Sequence, residues 1–337
     1  MNNHLLPFPY NQSRPQSWLE RVAQPFSTLL FGEPTPSAPQ EPPPTPIALQ
    51  NHKDDLPPIR IICISDTHNA TPLLPPGDIL VHAGDLTAHG TFDEVQAQLR
   101  WLSSQPHTHK IVIAGNHDIL IDEACDMKFP TRTEDSAAKR AELDWGGIRY
   151  LQDGAVTLEL PVPHLGEQQV QVRRVKIYGC PLTPEFGQWA FQYPPIRDVW
   201  TGRVPDDTDI LVAHGPPALY GDCDGEKGPN GKVKVKGDGY LLREIRRVRP
   251  KMVICGHIHG AYGLAVIQHH GTQDVVNGLG MRWEGYNLLG ALERAILSTI
   301  PGNRDDGRPR ETLVVNAAIA PGALSSDRKN AITVDYS

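Results

Sequence analysis

From residue 59 onward, short apolar runs recur along the chain, and five of them lead into an acid, an amide or a histidine. Ile59 to Ile64 leads to Asp66, Asp78 to Ala83 to Asp85, and Lys110 to Ala114 to Asn116. Asp209 to Ala213 leads to His214, and Met252 to Cys255 to His257. Runs of this length, rich in Ile and Val, predict buried strands. Phe92, Val95, Leu99 and Leu102 fall at helical spacing between the second and third runs, and Leu241, Leu242, Ile245 and Val248 do so before the fifth. Each set predicts a helix that buries one face. Further strands are expected at Arg173 to Tyr178, Leu313 to Asn316 and Asn330 to Val334, a helix over Trp283 to Leu297, and an exposed loop over Tyr220 to Tyr240. Strands alternating with helices predict α/β architecture. In such sheets chemistry gathers where strands end and loops begin, and each polar cluster follows its strand.

Residues 1 to 57 follow no such pattern. Pro34 to Pro46 is proline-rich and should stay extended and solvated. Ahead of it, Trp18, Val22, Phe26 and Leu29 approach helical spacing but are interrupted by Pro25. The expected organisation is a largely disordered tail over 1–57 and one domain over 58–337, with loop insertions near 220–240 and 266–310.

Composition narrows the chemistry. A formal net charge of -7 offers no basic footprint for a nucleic-acid backbone. Small anionic substrates stay open, because bound cations would dominate the field of a site. The five cysteines are widely spaced with no C-x-x-C pair, so a disulfide framework is not expected and a reducing, cytoplasmic location is. No apolar stretch approaches the ~18 residues of a membrane span, and no secretory signal is evident.

The clusters themselves are Asp66-Thr67-His68, Gly84-Asp85, Gly115-Asn116-His117-Asp118, His214-Gly215 and Gly256-His257-Ile258-His259. Asp66 and His68 lie two positions apart, as do His257 and His259, and in extended chain that spacing points both side chains the same way. A mixture of imidazole, carboxylate and amide suits Mn, Fe or Zn better than Ca. One shared carboxylate can hold two such ions ~3.5–4 Å apart, and Asp85 is the candidate bridge.

In this order the motifs resemble the calcineurin-like metallophosphoesterase superfamily over about residues 59–265. Cys180-Pro181-Leu182-Thr183-Pro184, the aromatics Phe186, Trp189 and Phe191, His214-Gly215-Pro216-Pro217 and the Gly256–His259 motif are similar to its metallophosphoesterase-domain-containing subgroup, which is associated with nucleotide binding and phosphodiester hydrolysis. The resemblance implies a four-layer αββα sandwich of two mixed β-sheets flanked by helices. It implies one ion on Asp66, His68 and His259, a second on Asn116, His214 and His257, and Asp85 shared. His117 matches the general acid; Asp118 either orients that imidazole or caps the following turn. The chain lacks the arginine that protein Ser/Thr phosphatases carry after Gly-Asp, and has Ala88 where purple acid phosphatases place a tyrosine ligand. Gly260 stands where the subgroup tends to have an acid.

The implied function is hydrolysis of a small phosphodiester or phosphomonoester, with a (cyclic) nucleotide among the candidates, by a metal-bridging hydroxide while His117 protonates the leaving oxygen. The alternative is a nucleotide- or phosphate-binding protein of the same fold with little or no catalysis; the intact ligand set argues against it. A structural zinc module fits poorly, since such sites favour cysteine-rich tetrahedral sets. His82 reads as a buried, hydrogen-bonded residue. His89 reads as part of a solvated loop, and His107 and His269 as surface residues. Trp189, Phe191 and Tyr262 suit base stacking and core packing about equally.

Overall fold

The computed structural model of the chain describes residues 47–49, 57–128, 135–163, 170–223, 226, 234–269, 308–322 and 327–337. The expectations for the proline-rich tail before residue 47 and for a helix over Trp283 to Leu297 fall outside these described residues.

Within them the strands are β1 (Ile47–Leu49), β2 (Ile59–Ile64), β3 (Ile79–Ala83), β4 (His109–Ile113), β5 (Ile148–Tyr150), β6 (Gly154–Pro163) and β7 (Val170–Cys180). They continue with the short β8 (Thr183–Pro184) and β9 (Gln192–Tyr193), then β10 (Ile210–Ala213), β11 (Met252–Cys255), β12 (Gly263–Gln268), β13 (Glu311–Asn316) and β14 (Ile332–Tyr336). The helices are α1 (Phe92–Ser103), α2 (Ala124–Lys128), α3 (Ser136–Ala141) and α4 (Gly239–Val248).

One sheet has the order β1-β14-β2-β3-β4-β5 and the other β12-β13-β11-β10-β7-β6. In the first, β2 to β5 run parallel and β14 pairs antiparallel to β2. In the second, β7, β10, β11 and β13 run parallel, with β6 and β12 antiparallel at the edges. Both sheets are therefore mixed.

Alternation along the strands divides the interior into three layers. Ile59, Ile61 and Cys63 of β2 face the second sheet, where Ile177, Ile210, Val212, Met252, Ile254 and Val315 meet them. Ile62 and Ile64 turn to the opposite face and pack with Val95, Leu99 and Leu102 of α1. Leu211, Val253 and Val314 turn outward from the second sheet onto Leu241, Leu242, Ile245 and Val248 of α4. Each such side chain contributes ~1.5–3 kcal/mol when fully buried. Helix, sheet, sheet, helix is the expected αββα sandwich.

Capping sets where the two long helices begin. Thr91 and Glu94 form a reciprocal capping box at α1. Asp238 accepts from the backbone N–H groups of Tyr240 and Leu241 at α4. Among the described residues, no helix is long and apolar enough to cross a membrane.

Several elements differ from expectation. β1 pairs in parallel with β14, so the first sheet includes Ile47 to Leu49, inside the expected tail. β6 escaped prediction because it is an edge strand in which Thr157, Glu159 and Pro161 face solvent, and edges tolerate proline. β12 was missed as well; it lies at the start of the expected 266–310 insertion and carries an exposed Val266. The ends of the Tyr220–Tyr240 segment are not exposed: Asp222, Cys223 and Asp238 are buried. His107 and His269 are buried too, with Nε2 against Pro75 O at 3.0 Å and Thr312 Oγ1 at 2.8 Å respectively.

Candidate metal centre

Both sheets deliver side chains to one end of the sandwich. Asp66 and His68 follow β2, Asp85 follows β3, Asn116 and His117 follow β4, His214 follows β10, and His257 and His259 follow β11. Backbone bonds join the sheets there: Ser65 N donates to Ala317 O at 2.9 Å, and Ala317 N to Cys255 O at 2.8 Å. Asp66 N reaches Gly84 O and Gly256 N reaches His214 O, each at 2.9 Å.

The loops turn more sharply than extended chain allows. Asp66, His68, Asp85 and His257 have φ of 56°, 42°, 55° and 66°. Left-handed backbone is strained for residues with a Cβ, though Asp and His tolerate it better than most. His259 opens a 3₁₀ turn (His259–Ala261). Convergence of the i, i+2 pairs therefore comes from coiled loops and not from strand alternation, which corrects the sequence expectation. As a result His257 and His259 part company. Neighbouring backbone must also come close: a Cβ on Gly115 would collide with Asp85 Oδ1, and one on Gly256 with Asp66 Oδ2.

Three groups of potential ligand atoms result, each with mutual distances within 4.8 Å: Asp66, His68 and His259; Asp85, His214 and His257; and His68, Asp85 and His117. His259 Nε2 lies 3.1 Å from Asp66 Oδ1 and 3.3 Å from His68 Nε2. His214 Nε2 lies 3.3 Å from Asp85 Oδ1 and 3.1 Å from Asn116 Oδ1. Asp85 Oδ2 is 3.8 Å from His68 Nε2, so this carboxylate faces both the first and the second group.

The far side of the imidazoles fixes their tautomers. His68 Nδ1 meets Thr87 O at 3.0 Å, His117 Nδ1 meets Ala88 O at 2.8 Å, His214 Nδ1 meets Ala83 O at 2.8 Å and His259 Nδ1 meets Pro321 O at 3.2 Å. A carbonyl can only accept, so each Nδ1 carries a proton and each ring turns its Nε2 towards the site. That is the outer support metal-ligating histidines receive. The Nε2 atoms of His68 and His259 then face each other beside the buried carboxylate of Asp66. Among the described residues, only histidines form ion pairs with Asp66 and Asp85. This donor set fits divalent cations.

Electrostatics divide the groups: burial opposes charge on His214 and His259, yet Asp85 pushes His214 up to about 9 and Asp66 pushes His259 up, so both release a proton on binding a cation. Burial alone would push Asp66 up, but the hydrogen bond from His259 and the charges of His214, His259 and His68 hold it well below the usual carboxylate range. Burial opposes ionisation of Asp85 as well, yet His214 holds it down at about 2. Burial, reinforced by the charge of His214, pushes His257 down to about 4. The carboxylates are thus anionic and His257 neutral at pH 7, the forms that ligate.

His117 and Asp118 sit differently. His117 stacks on Trp189 and meets the edge of His68. The Asp118 carboxylate does not reach that imidazole. It accepts from Gly115 N at 2.8 Å, Leu86 N at 3.2 Å, Thr87 N at 3.0 Å and Thr87 Oγ1 at 2.7 Å. It braces the backbone on both sides of Asp85, and burial together with the Asp85 charge pushes it up to about 6. Two neighbours went unnoticed in the sequence. Lys329 Nζ donates to His259 O at 2.5 Å, and Arg328 donates to Thr67 O at 3.1 Å. Nothing local marks either residue, because only the return of β14 brings them there.

Comparison with known proteins places this geometry in context. The family model described as Calcineurin-like phosphoesterase matches residues 59–261. A protein of Emericella nidulans named "Probable rhamnogalacturonate lyase C" is 36% identical over 82% of this chain, but the match covers 24% of that protein. The human "Metallophosphoesterase domain-containing protein 1" is 35% identical over 65% of this chain and 65% of its own length. A Caenorhabditis elegans "UPF0046 protein" is 32% identical over 61% of this chain and 70% of its own. The chain thus spans about a quarter of the first of these relatives and just under two thirds of the second.

Proposed function

Because the chain belongs to the calcineurin-like phosphoesterase family, we propose that it hydrolyses a small phosphodiester or phosphomonoester at a centre for two divalent cations. Asp66, His68 and His259 would hold one ion, Asn116, His214 and His257 the other, and Asp85 would serve both. Bound there, the ions would supply Lewis-acid charge for the phosphoryl oxygens and make water acidic enough to attack at neutral pH.

The protein's own groups supply the rest. Asp66 and Asp85, anionic and buried, set a negative cage that draws in cations and excludes a second free anion. The backbone N–H of His117 donates to Asp85 Oδ1 at 2.8 Å and orients that carboxylate. His117 Nδ1–H is tied to Ala88 O, which leaves Nε2 as the atom that would exchange a proton with the leaving oxygen. Water is the proposed nucleophile, and among the described residues no Cys belongs to the three ligand groups. The observation that carries this reading is the set of four imidazoles, each pinned at Nδ1 by a carbonyl, around two carboxylates whose ion-pair partners among the described residues are histidines alone.

The test is elemental analysis of the purified protein, followed by assay with added Mn of aryl diesters, 2′,3′- and 3′,5′-cyclic nucleotides and nucleoside monophosphates. About two ions per chain and turnover of at least one ester class are expected. Asp85→Ala should lose both ions and activity; His117→Ala should keep the ions while turnover falls ~10²–10⁴-fold. A protein replete with ions yet inert on every ester would leave only the binding function standing.

A further inference from the structure

We propose that Trp189 is a positioning residue for His117, holding the imidazole where a leaving oxygen can take its proton; this rests on reading His117 as the general acid. The two rings stack with centroids 4.1 Å apart and planes 27° apart. A single bond from Nδ1 to Ala88 O anchors one atom and leaves the ring free to tilt about it. An indole against the face removes that tilt. The edge of His68, 4.8 Å away at 77°, bounds the ring on another side.

The segment carrying Trp189 is anchored to the same loop that carries His117. Ala190 N donates to Asn116 O at 3.0 Å, one residue before His117. Phe191 N donates to Asp122 Oδ2 at 2.7 Å, four residues beyond Asp118. Phe191 sits at φ 53°, a left-handed conformation that costs ~1–3 kcal/mol for a bulky residue and persists only where its surroundings enforce it. Trp189 N itself donates to Gln192 Oε1 at 3.1 Å. Strain and anchors together set one indole face on the imidazole, while Ala190 and Phe191 are buried in the core beside α1. The sequence alone divided Trp189 between base stacking and core packing; it packs on the core beside α1 and also lies against the His117 ring.

A tilted acid loses in-line reach, and misplacement of ~1 Å can cost ~10²-fold in rate. That loss must depend on the leaving group, because an acidic phenol departs without a proton and an unactivated alcohol does not. The experiment compares wild type, Trp189→Leu, Trp189→Phe and His117→Ala, all full length and Mn-loaded, on phenyl and 4-nitrophenyl esters of methyl phosphate. Trp189→Leu should lower kcat ~10–100-fold on the phenyl ester and hardly on the nitrophenyl ester, with KM and bound metal unchanged. Trp189→Phe should restore much of the loss. Independently of turnover, in samples loaded with diamagnetic Zn in place of Mn, the His117 ring protons, assigned by their absence in His117→Ala, should lie upfield in wild type and move downfield in Trp189→Leu.

Equal losses on both esters, loss of metal, or an unmoved His117 resonance overturns the proposal. If His117→Ala discriminates between the esters and Trp189→Leu does not, only the role of Trp189 falls. If His117→Ala fails to discriminate, the general-acid reading falls and takes this proposal with it.

Discussion

His82 is wired in the opposite sense to the imidazoles of the cage. Gly84 N donates to its Nδ1 at 3.2 Å, so the neutral ring carries its proton on Nε2, 3.0 Å from Thr67 Oγ1, and Thr67 donates on to Leu86 O at 3.1 Å. The chain of bonds links the loops that carry Asp66 and Asp85, and it works only while His82 is neutral. Burial pushes His82 down to about 3. The unfolded chain takes up this proton below about 6.5, whereas the folded protein refuses it until about 3. Stability from this group is therefore complete above pH 6.5 and declines by ~1.4 kcal/mol per pH unit on acidification toward pH 3. Urea denaturation between pH 4 and 7 should give a shallower dependence for His82→Gln than for wild type, by about one proton. Identical slopes would exclude His82 as the source. The opposite tautomers of His82 and His214 come from which amide or carbonyl each ring meets, and no residue type announces that.

Among the elements, the loops after β3 and β4 act as a unit because Asp118 joins them. Its four accepted bonds come from Gly115, Leu86 and Thr87. Asp118→Ala would leave those buried donors without their acceptor, at ~1–3 kcal/mol for an unsatisfied buried group. A loss of roughly 3 kcal/mol in chemical denaturation is expected, with metal affinity weakened ~10–100-fold because Asp85 loses its support. A metal titration showing wild-type affinity for Asp118→Ala would refute the brace. The helices and central strands of this region were readable from periodicity and apolar runs: α1, α4 and β2 to β4 stand within a residue or two of their predicted bounds. Edge elements were less so. β6 keeps one face in solvent and so lacks the uninterrupted apolar signature of a strand covered on both sides, β1 is only three residues long, and β12 is a short edge strand with an exposed Val266.

At the scale of the whole molecule, the candidate centre spans the seam between the sheets. Asp66, His68, Asp85 and Asn116 belong to loops of the first sheet, and His214, His257 and His259 to loops of the second. Ions held there would cross-link the sandwich, and a ligand bound only by the folded state adds ~2.7 kcal/mol at a hundredfold excess over its Kd. Chelation should lower Tm and Mn should restore it, whereas Asp85→Ala should show no such response. A Tm indifferent to chelation in the wild type would argue against ions at the seam.

Sequence by itself determined the α/β class, the central strands and which residue types cluster at their ends, because apolar periodicity and strand-terminal motifs are local properties of the chain. Tertiary structure alone decided that Asp118 serves the backbone and not His117 and that Trp189 lies on an imidazole, and it supplied the turn by which His257 and His259 face different groups. Those outcomes depend on left-handed turns and on contacts between loops tens to hundreds of residues apart, where geometry is set by packing of the two sheets.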